Sequence, residues 1–461
     1  MLEQRSTLGF KDLNETLLVE ALHRYVSRDV IEEQIDRNGV REKRRRKLGS
    51  VTVVFFILYS CLFRNSNRKE VLKKLIEGYQ IRGWRIESRA IATRSALTKA
   101  LVRLGTKVMR DCYESVKEEQ KPCEESFYRG FRLKAYDGSV FNLEDSESNR
   151  LAYGKAASGQ GQSAWPQVKM VMEIDVGTRQ PGKMSYGGCR SDETEMVREM
   201  LSECKFDELF LLDRNLCCFK IAEKILKRGS QFLARARKDQ RIQITQRLED
   251  GSYLGIFRTR LFREGLLVRI IEYRLTNPQR SAPEEVHRLM TSLLDAGQSP
   301  AKELIELYHQ RWEIEISFDE LKNHLFQRPR MNPFFRSQRP AGVGQELYGL
   351  LILYSVIRSI MQEAAGKYDL EPRRLSFTDC IHILRRGVIR MQSAPSERLK
   401  EMYEDLLNEM AGSLLPKKEN RINPRVLKKQ HFNFPPKKLQ HFGWKVLKTR
   451  FEEDVHILSH A

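Results

Sequence analysis

The residues best equipped for chemistry lie in the stretch ELYHQRWEIEISFDELKNHL, residues 306–325. Tyr308, Arg311, Glu315 and Lys322 follow one another there at steps of three, four and seven. At about 100° per residue, an unbroken helix would gather the four within an arc of roughly 60°. Leu307, Ile314, Phe318 and Leu321 form a neighbouring apolar stripe that would seat the helix on a sheet. A carboxylate flanked by two cations and a phenol suits phosphate handling. Glu315 can bind a hard divalent cation through oxygen. Arg311 and Lys322 can pair with backbone phosphates, as a planar fork and a point charge respectively, and Tyr308 can hydrogen-bond a phosphate oxygen. Taken alone, the same segment reads more simply as a helix with an Arg311–Glu315 ion pair four residues apart.

Two aspartates change that weighing. Asp137 follows the strand-like FRLKAY and precedes Gly138, and Asp213 ends ELFLLD and precedes Arg214-Asn215. Acids at the ends of hydrophobic strands in an α/β sheet occupy the rim where sites form, although each singly reads as a turn or capping residue. With Glu315 they make three acids on three separate elements. The nine histidines are scattered, and the eight cysteines show no zinc-like spacing. An all-oxygen set selects Mg²⁺ or Mn²⁺ over zinc. Two such ions can stabilise the attacking and leaving oxygens of an in-line phosphoryl displacement.

The elements that must hold these residues follow from periodicity. Residues 1–125 read as helical, with the apolar run Val51–Phe63 as a core helix, because a bilayer span needs about 20 residues. The stretch 88–110 reads as helix–break–helix. Leu97, Leu101, Leu104 and Val108 share its inner face, and Ser95, Lys99, Arg103, Lys107 and Arg110 the outer. Lys99 and Arg103 on that outer face are candidate DNA contacts, as in helix-turn-helix modules, or simply a solvated basic face. From 126 to 240 the pattern becomes strands alternating with helices, a mixed α/β core. Residues 241–298 are all strand-like and look inserted. Helical patterning resumes across 299–368, with one long helix expected from about Ala301 to His324. Residues 369–461 read as a basic C-terminal region, its stretch Lys417–Arg450 interleaving Lys and Arg with Phe432, Phe434, Phe442 and Trp444.

Lys and Arg number 81 against 61 Asp and Glu, a balance of +20, which points to a polyanionic partner and to nucleic acid first. The N-terminal stretch lacks a signal-peptide pattern, so the expected setting is the cytoplasm, with reduced thiols and no membrane.

The pattern Tyr308-x2-Arg311-x3-Glu315-x6-Lys322, preceded by Asp137-Gly138 and Asp213-Arg214, resembles the Y-R-E-K signature of the IS4 family of bacterial DDE transposases. The likeness covers about 128–365, including the β-rich insertion, and the apolar helix with SALTKALVRLG resembles the family's N-terminal domain. The resemblance implies an RNase H-like catalytic core interrupted by that insertion. It further implies cut-and-paste transposition through a hairpin intermediate by a homodimer on paired transposon ends, acting on terminal inverted repeats and target DNA near the nucleoid. Asp137, Asp213 and Glu315 would then be the triad for two Mg²⁺ ions, with Mn²⁺ able to substitute. Tyr308, Arg311 and Lys322 would contact end phosphates beside a flipped-out base. The insertion lacks the tryptophan that would stack on that base and offers Tyr253, Phe257, Phe262 and Tyr273 instead. Two other readings share parts of this evidence: a catalytically inactive DNA-binding regulator derived from a transposase, and a general RNase H-like nuclease.

Overall fold

The computed structural model describes residues 25–44, 48–64, 66–81, 92–158, 161–277, 281, 284–325, 334–392, 394–415 and 449–458. These residues fall in two compact units, and each unit is built from separate chain segments.

The first unit holds residues up to Ser126, then Gly138–Asp192 and Ile314–Leu415. Its N-terminal part is helical: α1 (Arg28–Arg37), α2 (Ser50–Leu62), α3 (Arg68–Ile81), α4 (Arg94–Leu104) and α5 (Lys107–Glu118). Helix α2, SVTVVFFILYSCL, is apolar nearly all round and is correspondingly buried. Thr93 caps α4 by accepting from the Ala96 N–H at 3.2 Å. Gly105, at φ +71°, ends it, because that left-handed backbone suits glycine. The expected face of three leucines and a valine is therefore split. Leu97 and Leu104 are buried from α4, and Val108 is buried from the next helix.

Later in this unit, helix α6 (Glu147–Tyr153) is followed by β2 (Gln167–Asp175) and β3 (Pro181–Gly188), which form an antiparallel pair. The 28-residue α11 (Pro340–Lys367) is buried along most of its length and packs on α2 and α5. Two further helices, α12 (Phe377–Gln392) and α13 (Leu399–Gly412), pack on each other. They occupy the start of the stretch expected as a basic extension. No helix among the described residues is long and apolar enough to cross a membrane.

The second unit holds Phe127–Asp137, Glu193–Glu313 and the residues from Pro416 onward. Strand β4 (Glu208–Leu212) is buried at every position, as a strand covered on both faces must be. It runs parallel to β1 (Phe131–Asn142) on one side and to β5 (Gln231–Arg235) on the other. The helices α7 (Glu193–Met200) and α8 (Phe219–Lys227) supply the crossovers. The expected insertion is four antiparallel strands, β6 (Ile242–Arg247), β7 (Tyr253–Phe257), β8 (Leu266–Leu275) and β9 (His287–Thr291). They extend the sheet through the β5–β9 pair.

Strand β1 belongs to both units, and through it the strand order is β3-β2-β1-β4-β5-β9-β8-β7-β6. A β-meander followed by two parallel strands in the order 3-2-1-4-5 is the RNase H-like arrangement, carrying the insertion at its far edge. Near the C-terminus the chain returns to this sheet. Strand β10 (Val455–Ile457) pairs antiparallel with β8, Tyr273 facing Ile457.

Candidate active site

Asp137 and Asp213 are brought side by side by the β1–β4 register. The parallel ladder pairs Leu133 with Leu209 and Ala135 with Leu211. Carried two residues further, it sets Asp137 level with Asp213, on the same face of the sheet. Neighbouring strands lie about 4.8 Å apart, so the two carboxylates share one locality. Both are half-buried. Asp137 is not at a strand end, as expected from the following glycine: β1 continues to Asn142. What ends at this level is its partner β4, and that opens the rim.

Asp213 also shapes its own loop. Its Oδ1 accepts the backbone N–H groups of Asn215 (2.9 Å) and Leu216 (2.8 Å), an Asx turn leading toward α8. No hydrogen bond to its Oδ2 is present among the described residues. The acid therefore commits one oxygen to the turn and leaves the other without a hydrogen bond among the described residues.

The expected single helix from Ala301 to His324 is broken. Helix α9 (Ala301–His309) ends in a tight turn, where the Gln310 and Arg311 N–H groups bond the Leu307 and Tyr308 carbonyls at 3.0 and 3.1 Å. Helix α10 (Trp312–Asp319) follows, then a π-helical turn, Glu320–Leu325. Both interruptions change the residues per turn, so the four motif residues do not form the straight row that constant helical spacing would give. The boundary between the units falls between Glu313 and Ile314.

In the second unit, the Tyr308 hydroxyl donates to the Leu212 carbonyl at 3.1 Å, pinning the end of α9 to the residue before Asp213. Burial pushes this phenol well above its ordinary pKa. Arg311 partly offsets the effect, and Asp213 adds to it. Tyr308 is therefore a neutral fastener with its proton committed to the backbone, not the free phosphate donor expected. The half-buried Arg311 sits with its guanidinium 5.8 Å from the ring of Trp312, which is 39% exposed. His309 stacks on Phe451 with centroids 4.4 Å apart, so the C-terminal segment buttresses the same helix end.

In the first unit, Glu315 is half-buried on α10. The Lys322 ammonium donates to Ser139 Oγ and, at 3.0 Å, to the Val140 carbonyl, both in β1 just after Asp137. It also lies 4.6 Å from the centroid of the Phe141 ring. The π-turn carrying it is anchored by a wholly buried cluster. Glu320 Oε1 meets Arg179 Nη1 at 2.9 Å, its Oε2 meets Arg358 Nη2, and the Tyr354 hydroxyl donates to Oε2 at 2.7 Å. Burial alone would raise the Glu320 carboxyl, but Arg358 and Arg179 overcome it and hold it below its ordinary range.

Among the described residues, no three His, Cys, Asp or Glu side chains lie close enough to hold one ion. The two level aspartates form an all-oxygen pair of the kind Mg²⁺ favours.

Of the expected DNA contacts, Lys99 is exposed, but Arg103 is committed within the fold. Its Nη2 donates to the Leu48 carbonyl at 2.7 Å and pairs with Glu42 at 3.3 Å. In the basic run 37–47, Arg37 pairs with Glu33, and Arg41 with Asp36 and Glu32. Arg45–Lys47 lie outside the described residues, as does most of Lys417–Arg450. Tyr253, Phe257 and Tyr273 are buried in the insertion's core, and Phe262 is stacked on Phe219. None of the four aromatics that the insertion offers is displayed for a flipped base. Trp312, the one tryptophan inside the motif segment, is an exposed aromatic beside Arg311 that the sequence pattern did not single out.

The Transposase DDE domain family model matches residues 129–356, and the Insertion element 4 transposase N-terminal model matches 17–114. The chain is 26% identical over 426 residues to the transposase InsG of insertion sequence element IS4 from Escherichia coli (strain K12), covering 90% of this chain and 94% of that protein. It is also similar, with a TM-score of 0.43 and 12% identity, to piggyBac transposase in a cryo-EM synaptic complex with hairpin DNA. That match covers 87% of this chain and 86% of the other.

Proposed function

This chain belongs to the IS4 family of DDE transposases, and from that membership we propose that Asp137, Asp213 and Glu315 are the acids with which it cuts and rejoins DNA. It is a DNA transposase, a metal-dependent enzyme of strand cleavage and strand transfer. The observation that carries the site assignment is the register that sets Asp137 level with Asp213. Two Mg²⁺ ions, for which Mn²⁺ can substitute, would be held by these acids and supply charge stabilisation to the attacking and leaving oxygens.

The chain's own residues orient the strand. Tyr308 fixes the end of α9 against β4. Arg311, at the turn after it, grips an end phosphate with its planar fork. Lys322, held by β1, adds a cation beyond Asp137. Trp312 offers the exposed ring on which an unstacked base can rest, offsetting the few kcal/mol that flipping costs. The proposed substrates are the terminal inverted repeats and then target DNA. The proposed course is cut-and-paste through a hairpin, with two copies of the chain on paired ends. A non-catalytic regulator would require none of the three acids and is not favoured.

Replacing Arg311 with Ala separates a transposase from a general nuclease. A charge-assisted contact is worth about 1.5–3 kcal/mol, so hairpin yield on end DNA should fall roughly 10- to 100-fold. Unchanged end processing in a single-turnover assay would remove Arg311 from the site.

Salt gives a second check. Each neutralised phosphate contributes about −0.9 to the slope of log affinity against log salt. With a balance of +20, the wild type should show a slope of about −5 or steeper by fluorescence anisotropy. A flat response would contradict the phosphate-binding account.

A further inference from the structure

We propose that the tip of the β7–β8 hairpin is a duplex wedge: Leu261 enters the minor groove between base pairs while Arg258, Arg260 and Arg263 take the flanking phosphates. The proposal rests on the transposase reading for its ligand, double-stranded DNA, and adds a contact surface outside the acids and the motif helices.

The hairpin closes at the Phe257–Leu266 pair. Above it, the Thr259 N–H bonds the Phe262 carbonyl at 3.3 Å, and the Phe262 N–H returns to the Thr259 carbonyl at 3.1 Å. Arg260 and Leu261 are therefore the two corner residues of a closed turn. Phe262 folds inward and stacks on Phe219 of α8, centroids 4.4 Å apart and planes 11° apart, while Phe257 flanks the same ring at 5.7 Å. Gly265, at φ +76°, lets the chain turn back into β8. The tip is thus pre-organised by an aromatic clamp beneath it, which lowers the ordering cost of using it as a contact.

Leu261 is 83% exposed, the highest value among the large apolar residues described. A lone exposed leucine needs no explanation; this one stands among three exposed arginines. None of the three makes an ion pair or side-chain hydrogen bond among the described residues, and Glu264 is the one acid in the loop. Their chemistry selects the partner. A protein partner would ask for a contiguous apolar patch, and this tip has a single apolar side chain among cations. A single strand would ask for exposed aromatic faces, and Phe262 is turned inward. An apolar side chain between arginines is the device that unstacks a base step from the minor groove and bends the duplex by about 20–90°.

The test uses the full-length protein and a 40-bp duplex taken from the DNA flanking its own coding sequence, labelled at both ends. All four residues are exposed, so substitution spares the fold. The triple variant Arg258→Ala, Arg260→Ala, Arg263→Ala should make the log–log salt slope shallower by about 2.7, three contacts at 0.9 each. Leu261→Ser should keep affinity within about threefold while the bend read by end-to-end energy transfer is lost. A slope unchanged in the triple variant overturns the assignment, and a bend unchanged in Leu261→Ser overturns the wedge. Cleavage by the wild type with Mn²⁺, run in parallel, tests the transposase reading separately. Cutting with an unchanged slope sinks the wedge alone.

Discussion

Asp213→Asn will bind end DNA as the wild type does and will cut it about 10³-fold more slowly, or not measurably. Charge stabilisation at a metal-dependent phosphoryl transfer is worth several kcal/mol, and about 4 kcal/mol corresponds to three orders of magnitude. Asparagine is the informative replacement because Asp213 does two jobs. Its Oδ1 accepts from Asn215 and Leu216, and an amide oxygen can keep both bonds. Only the negative charge and the second carboxylate oxygen are lost. Alanine would also undo the turn, mixing a structural cost of about 1 kcal/mol into the result. Asp137→Asn should behave alike. The double variant should be little worse than either single one, because residues acting as a unit are not additive. A rate within tenfold of wild type for either single variant would exclude that residue from the site.

Glu320→Gln is the largest stability effect expected. The variant is nearly isosteric, but it removes the buried carboxylate that pairs with both Arg179 and Arg358. Removing one partner of a buried ion pair costs about 3–5 kcal/mol, read as a fall of roughly 10 °C in thermal midpoint. Lys322 lies two residues along the same π-turn, so a folded fraction of this variant should also lose its grip on Ser139 and Val140 and cut poorly. Replacing all three charges with apolar residues of similar volume should recover most of the stability, since the desolvation cost disappears with the ions.

The pH dependence has a definite sign. A carboxyl whose folded pKa lies below its unfolded value contributes stability that is present above about pH 4.3 and is lost as pH falls through the folded value. The wild type should therefore destabilise on acidification below about pH 4 more steeply than the apolar triple variant. Matching acid curves would show that Glu320 is not the anchor.

How much of this was legible in the sequence differs by element. The buried strand Glu208–Leu212, the apolar α2 and the all-strand insertion announce themselves through local periodicity, and the structure has each of them. The pairing of Asp137 with Asp213 was legible as two strand-associated acids, but not as a register, because nothing local states that β1 and β4 are neighbours. Gly138 suggested a strand end where β1 runs on to Asn142, since the open rim comes from the shorter partner strand.

The motif helix misled for a different reason. Spacing at 3.6 residues per turn cannot reveal a tight turn at Gln310–Arg311 or a π-turn at Glu320–Leu325, and both alter which side chains align. Glu320 itself carries no signal in the local sequence that it is buried. Its burial is decided by Arg179, 141 residues before it, and Arg358, 38 residues after. The return of Val455–Ile457 to β8 was likewise invisible, hidden behind a long basic stretch whose composition dominates the reading.

The central claim is that Asp137, Asp213 and Glu315 together hold divalent ions against DNA. Mn²⁺ uptake by the protein bound to end DNA, followed by electron paramagnetic resonance of the free ion, measures this without relying on turnover. The account predicts about two ions taken up per wild-type chain, and near-complete loss in a variant carrying Asp137→Asn, Asp213→Asn and Glu315→Gln that still binds the DNA. Equal uptake by wild type and that variant would contradict it.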